Sequence, residues 1–89
     1  MLTRFKDAAR RAKARRCQGG ASSVVLNIAE GSGSFGRVRT ARYRTALGSA
    51  RESLSCLLTA EAFGYVEPMP QALTAVMNRV IGTLVRVAS

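Results

Sequence analysis

The chain has 89 residues, of which 14 are Lys or Arg, 5 are Asp or Glu and none is His, so its formal net charge is +9. This length predicts one small domain (1–89), for which oligomerisation is a common additional source of stability. The charge predicts an anionic partner such as nucleic acid, a membrane surface or an acidic protein, and the absence of His excludes Ser-His and Cys-His catalysis.

The remaining composition favours a helical protein outside the secretory pathway. Ala, Leu and Val supply most of the apolar side chains, which favours helices over sheets. No apolar segment follows the basic N-terminus as in a signal peptide, and no apolar run has the length of a membrane span, so we expect a cytoplasmic protein. Cys17 and Cys56 lack the spacing of metal ligands, and we interpret them as reduced, buried or incidental thiols.

Residues 1–20 contain seven basic side chains and a single acidic one, Asp7. Apolar residues recur in this segment at helical spacing, but the pair Gly19-Gly20 predicts a break in the helix. The segment is therefore either a basic arm that contacts phosphate groups or a solvated terminus. Its candidate nucleic-acid-binding residues are Arg10, Arg11, Lys13, Arg15 and Arg16.

Residues 21–31 carry the pattern of a short helix. Val24 and Ile28 share one of its faces, and Gly31 stands where helices often end on a left-handed residue. A glycine- and serine-rich turn follows, in which Ser34 is a candidate N-cap for the next helix.

Residues 35–63 carry the longest helical pattern in the chain. Its apolar residues recur at alternating three- and four-residue steps, as in the seam of a packed bundle. Gly48 belongs to a second line of small residues that repeats every seven positions, which predicts the close approach of another helix. Gly64 is expected to end this helix.

Residues 70–87 form the last predicted helix, and Pro70 suits its first turn. Leucine, valine, isoleucine and methionine side chains occupy one broad stripe of this helix. Because short connections make successive helices antiparallel neighbours, the sequence predicts an all-α, up-and-down bundle.

No arrangement of residues supports catalysis. The stretch 31–36 matches the G-x-G-x-x-G pattern of dinucleotide-binding folds, but no strand precedes it, and we reject a cofactor site there. The carboxylates Glu30 and Glu52 have no His partner, and an ion pair with Arg is the favoured interpretation of each. We expect no catalytic residue, no metal, no cofactor and no enzymatic activity.

A second group of arginines lies on the long predicted helix. Arg37, Arg44 and Arg51 are seven residues apart and therefore share one face. Arginine forks suit phosphate oxygens, and no known nucleic-acid recognition motif is present, so this group predicts phosphate-backbone binding of low sequence specificity. A solvated basic face is the alternative. The candidate residues of this group are Arg37, Arg39, Arg42, Arg44 and Arg51.

Two short motifs occupy the middle of the chain, Asn-Ile-Ala-Glu-Gly at residues 27–31 and Ala-x-Gly-Ser-x-x-Glu at residues 46–52. With these motifs, about half of the chain resembles the four-helix bundle proteins encoded in intervening sequences of 23S ribosomal RNA genes. That family is similar to the accessory protein of diversity-generating retroelements. The matching positions are Asn27, Glu30, Gly31, Gly48, Ser49 and Glu52.

The resemblance implies an antiparallel four-helix bundle, usually a ring-like homopentamer, without enzymatic activity. It implies that the matching polar residues make helix-turn, inter-helix or inter-subunit contacts. In the retroelement branch a basic surface binds nucleic acid, and the protein is a partner of a reverse transcriptase. Family members begin with a full-length first helix, whereas only residues 1–20 precede the matching region here, so we expect a short or truncated first helix.

Residues and resemblance together predict a non-enzymatic, oligomeric helical bundle that binds nucleic acid, RNA in particular, through a basic surface. The alternative is a structural or adaptor protein that acts through homo-oligomer assembly, or as a partner of a reverse transcriptase or another protein. A membrane partner is not expected.

Overall fold

A computed structural model describes residues 2–89, and in this range the chain forms three helices and no strand. Helix α1 spans Leu2–Ser32, α2 spans Gly36–Ala62 and α3 spans Gln71–Val87. Helix α2 packs against both others, whereas α1 and α3 have no close backbone contact in this part of the chain. The prediction of an all-helical protein is confirmed. The prediction of a four-helix bundle with a short first helix is wrong, because three helices are present and α1, with 31 residues, is the longest of them.

Helix α1 continues through Gly19-Gly20, where the sequence predicted a break between a basic segment and a helix over 21–31. A glycine inside a helix costs about 1 kcal/mol relative to alanine. Contacts with α2 offset this cost. Gly20 lies where α1 and α2 approach closely, since a Cβ atom on it would stand 2.6 Å from the Ser53 hydroxyl oxygen. One turn earlier, a disulfide joins Cys17 to Cys56 of α2 with their Cα atoms 5.7 Å apart.

The turn between α1 and α2 differs from its prediction in two details. Gly31 remains helical, and the glycine with a positive φ is Gly36, at 58°, where α2 begins. Ser34 does not cap α2, because its hydroxyl donates a 2.7 Å hydrogen bond to the carbonyl of Glu30. The N-cap is Phe35, whose side chain makes no capping hydrogen bond. The serine therefore completes the end of α1 and leaves the start of α2 uncapped.

The end of α2 follows from Gly64, as its position in the sequence indicates. Gly64 has φ 73°, and its amide donates to the carbonyl of Glu61 while the Tyr65 amide donates to the carbonyl of Ala60, at 3.0 and 2.8 Å. These two bonds define a Schellman motif, which satisfies carbonyl groups that the helix end leaves free. Helix α3 then begins at Gln71, directly after Pro70.

The core is small and consists mainly of alanine. Ala46, Ala50 and Leu84 are buried, and no large side chain among the described residues is completely enclosed. The two outer helices flank an apolar groove on α2, with Val24 on the α1 side and Val76 on the α3 side. Partly buried apolar residues complete the core: Val24, Ile28, Tyr43, Leu47 and Ile81.

Gly31 and Gly48 should respond oppositely to substitution by alanine. A Cβ atom on Gly31 would lie 2.6 Å from the Tyr43 ring, whereas one on Gly48 would meet nothing within 4 Å. The predicted close packing at Gly48 is therefore wrong. We expect Gly48→Ala to stabilise the protein by about 1 kcal/mol and Gly31→Ala to destabilise it by about 1–3 kcal/mol. Thermal unfolding followed by circular dichroism checks both, and a stabilising Gly31→Ala would contradict this contact.

Candidate nucleic-acid interface

A line of polar side chains joins α1 to α2 near the middle of the helical hairpin that these two helices form. The Asn27 side-chain amide is buried and donates to the carbonyl and the hydroxyl of Ser23, at 2.8 and 3.2 Å. The hydroxyls of Ser23 and Ser49 are hydrogen-bonded at 2.8 Å, and the Ser53 hydroxyl donates to the Ser49 carbonyl at the same distance. Asn27 and Ser49 therefore belong to an inter-helix contact. Sequence reasoning missed Ser53 and gave Ser23 no role in this contact.

Glu30 and Arg42 form the one ion pair among the side chains described from Arg4 to Ser89, at 2.7 Å. The paired oxygen, Oε2 of Glu30, is shielded from solvent although the rest of both side chains is partly exposed. No hydrogen bond to this oxygen is recorded among the described residues, so the Arg42 guanidinium compensates its burial by charge. Arg42 fixes the end of α1 against the first turns of α2 and is committed to that contact.

Two further arginines of the second group bind the C-terminal ends of helices. Arg39 donates from Nε to the carbonyl of Gly31 at 3.2 Å, and its guanidinium lies 5.7 Å from the centre of the Phe35 ring. Arg44 donates from Nε to the carbonyl of Ala88 at 3.1 Å. Helix C-termini carry unsatisfied carbonyls and a partial negative charge, which cations stabilise. Three of the five predicted binding arginines of α2 therefore have structural partners within the chain.

Arg37 and Arg51 differ from those three. Both are exposed, and the structure records no hydrogen bond or ion pair from either side chain to a described residue. Arg37 lies in the first turn of α2, and Arg51 lies near its middle, beside α1. These two side chains remain available to an anionic partner.

The basic half of α1, which we define as residues 4–16, carries seven basic side chains and a single acidic one, Asp7. Arg10, Arg11, Arg15 and Arg16 are exposed and Lys13 is partly exposed. Contacts between the two helices move toward the end of α2 as they move back along α1, from Gly31 through Ser23 and Gly20 to Cys17. The two helices are therefore antiparallel, and their register is constant. Continuing this register places the residues before about Arg11 beyond the last turn of α2. Much of this basic surface therefore projects freely from the bundle.

A cleft lies between α1 and α2 beside the disulfide, with a volume of about 540 Å³. Lys13 and Arg16 line it from α1, and Arg51 lines it from α2. Glu52 is the one carboxylate on its wall, and no described cation lies within 4 Å of that carboxylate, so the ion pair with an arginine predicted for Glu52 is wrong. The sequence analysis named Lys13, Arg16 and Arg51 separately, and the fold brings these three side chains together.

The interpretation of Cys17 and Cys56 as reduced or incidental thiols is wrong, because the two form a disulfide. The bridge joins α1 to α2 where the basic half of α1 meets the rest of the hairpin. It therefore anchors that basic surface to the bundle.

Other chemistry has little structural basis in the described residues. The glycine pattern at 31–36 spans the end of α1 and the start of α2, with a helix where a dinucleotide site has a strand. Across residues 2–89, no three Cys, Asp or Glu side chains are grouped closely enough to hold a metal ion. Within the same range, none of the helices combines the length and the apolar character needed to cross a membrane.

Comparison of the chain with protein-family models, curated proteins and solved structures finds no match.

Proposed function

We propose that the protein is a non-enzymatic, helical nucleic-acid-binding protein that binds RNA with low sequence specificity. One observation carries the proposal: the basic half of α1 presents a cluster of exposed and partly exposed cations, and none of them is paired with a described carboxylate. A surface of unpaired cations binds phosphates largely by releasing the counterions that surround a nucleic acid. This mode requires no sequence-specific contact, and the described residues present no recognition motif of a known module.

The arginines of α2 contribute less to this function than their number suggests. Arg39, Arg42 and Arg44 bind groups of the same chain. Substituting them would therefore destabilise the fold, and a loss of RNA binding in such variants would not locate the interface. We therefore assign the interface to the basic half of α1, together with Arg37 and Arg51.

Removing two charges from the basic half of α1 is expected to weaken RNA binding. In Arg10→Gln/Arg11→Gln, the slope of log K against log salt should fall in magnitude by about 1.4, at about 0.7 for each lost contact with single-stranded phosphate. The matched control is Arg79→Gln/Arg86→Gln, which removes the same charge from α3. Fluorescence anisotropy with a labelled single-stranded RNA of mixed sequence measures both variants.

The comparison separates a local interface from a general charge effect. The control should keep most of the wild-type slope, because α3 lies away from the basic half of α1. Equal losses in the two variants would contradict the assignment of the interface to α1.

The extent of exposed surface favours a second candidate function, homo-oligomer assembly. The chain exposes 6482 Å², whereas a monomeric protein of 9.5 kDa exposes about 5,000 Å² on average. The excess exceeds the roughly 800 Å² per partner that stable interfaces bury. The apolar groove between α1 and α3 also remains open, lined by Val24, Val76 and Val80.

We propose that helices of further copies of this chain cover the groove. A ring-like pentamer, a relationship to the 23S intervening-sequence proteins and a partnership with a reverse transcriptase are proposals that rest on the motif resemblance alone. Light scattering coupled to gel filtration should give a mass of at least twice the 9.5 kDa of one chain. A monomer at a concentration on the order of 100 μM would contradict assembly through the groove.

A cytoplasmic location is also a proposal. In that compartment glutathione and thioredoxin keep most thiols reduced, so the Cys17–Cys56 bridge would form there only under oxidising conditions.

A further inference from the structure

The cleft beside the disulfide gathers cations from two helices that are far apart in sequence. Lys13 and Arg16 are one turn apart on α1, and Arg51 reaches the same cleft from α2. Three positive side chains and one carboxylate, that of Glu52, therefore line the same cleft, whose volume is about 540 Å³. No ion pair among the described side chains involves any of these three cations. The cleft is thus a local concentration of uncompensated positive charge.

Two glycines lie on the α1 wall of this cleft. Gly19 and Gly20 line the cleft from α1, and a Cβ atom on Gly19 would meet nothing within 4 Å. The Cys17–Cys56 bridge then fixes the spacing of the two walls, since Cys17 follows Arg16 directly and Cys56 itself lines the cleft. The cations are held around an open space by a covalent link between their helices.

The remaining lining supplies a hydroxyl donor and no aromatic ring. Ser55 supplies a hydroxyl that makes no hydrogen bond to a described group, whereas the Thr59 hydroxyl is bonded to the Ser55 carbonyl at 2.7 Å. No aromatic side chain lines the cleft, so it offers no platform on which a base can stack. Guanidinium groups and a free hydroxyl donate hydrogen bonds of the kind that phosphate oxygens accept.

We propose that Lys13, Arg16 and Arg51 form a phosphate-binding cleft between α1 and α2, with Ser55 as an additional donor. The ligand is a phosphate group, and its assignment to the phosphodiester backbone of RNA rests on the proposed function. A free inorganic phosphate carries the same chemistry and is the other source. The cleft fixes one phosphate at a defined place, whereas the rest of the basic half of α1 binds through counterion release.

The test compares two double variants in the oxidised, full-length protein. Arg16→Gln/Arg51→Gln removes one cation of the cleft from each helix. Arg4→Gln/Arg37→Gln removes one exposed cation from each of the same helices outside the cleft, and is the matched control. Each protein is titrated with inorganic phosphate at constant ionic strength and followed by amide chemical shifts. Binding of single-stranded RNA is measured in parallel by anisotropy.

Phosphate should shift the amide signals of Gly19, Gly20 and Ser55 in the wild type and in the control. In Arg16→Gln/Arg51→Gln the affinity for phosphate should fall at least about tenfold, because two charge-assisted hydrogen bonds are lost. RNA affinity should fall more in this variant than in the control.

The outcomes distinguish the cleft from the wider function. Phosphate shifts at the cleft in a protein that fails to bind RNA would support the cleft with free phosphate as its ligand and overturn RNA binding. Two results would overturn the proposal of a phosphate-binding cleft even if RNA binds. One is the absence of saturable amide shifts at the cleft, and the other is an equal loss of phosphate affinity in the two double variants.

Discussion

Replacing Cys17 and Cys56 by serine is expected to lower the free energy of unfolding by about 4 kcal/mol. The bridge closes a loop with a sequence separation of 39 residues, and in the chain-entropy model a loop of this length restricts the unfolded state by about that amount. Domains of this size have a total stability of roughly 5–10 kcal/mol. The bridge is therefore expected to supply a large share of the stability of the hairpin.

Urea denaturation followed by circular dichroism measures the effect of Cys17→Ser/Cys56→Ser. Wild-type protein treated with a reductant should unfold at the same urea concentration as the variant, and the variant itself should not respond to the reductant. A wild type whose urea midpoint stays unchanged, after a thiol assay shows both cysteines reduced, would contradict this role of the bridge.

Leu84→Ala should be the most destabilising single core substitution in α3, at roughly 2–5 kcal/mol. Leu84 is 4% exposed and is the one buried residue within this helix. It packs with Ala46 and Ala50 of α2, whose small side chains cannot extend to fill the space left by alanine. The cost therefore includes a cavity as well as the lost transfer of apolar surface.

The neighbouring residue provides the control for this substitution. Val85 is 42% exposed, so Val85→Ala should change the stability by less than about 1 kcal/mol. The urea midpoints of the two variants give the comparison. Similar midpoints would show that Leu84 does not hold α3 against α2.

Local signals in the sequence were sufficient for the later part of the fold. Gly64 marks the end of α2 because a left-handed residue is required there, and Pro70, predicted in the first turn of the last helix, lies directly before α3. The break expected at Gly19-Gly20 was wrong because propensity is local, whereas a contact with Ser53 and a disulfide to Cys56 come from another helix. A signal for the bridge was present, since the two cysteines of the chain, Cys17 and Cys56, lie on opposite sides of the turn after α1.

The sequence predicts which segments of the candidate site are basic, but it does not predict how their side chains are arranged. Counting charges locates the basic half of α1, but the count does not distinguish an arginine without a partner from one that is hydrogen-bonded within the chain. Arg44 binds the carbonyl of Ala88, 44 residues later, and this partner is fixed by the packing of α3. The convergence of Arg16 and Arg51 likewise depends on the register of α1 against α2.

The most direct test of the central proposal is the affinity of the oxidised wild-type protein for a single-stranded RNA of mixed sequence, measured from about 50 to 200 mM salt. Binding through the basic half of α1 predicts that log K falls linearly with log salt, with a slope of about −3 or steeper for four or more phosphate contacts. Absence of binding at about 50 mM salt, or an affinity that does not change with salt, would contradict the proposal.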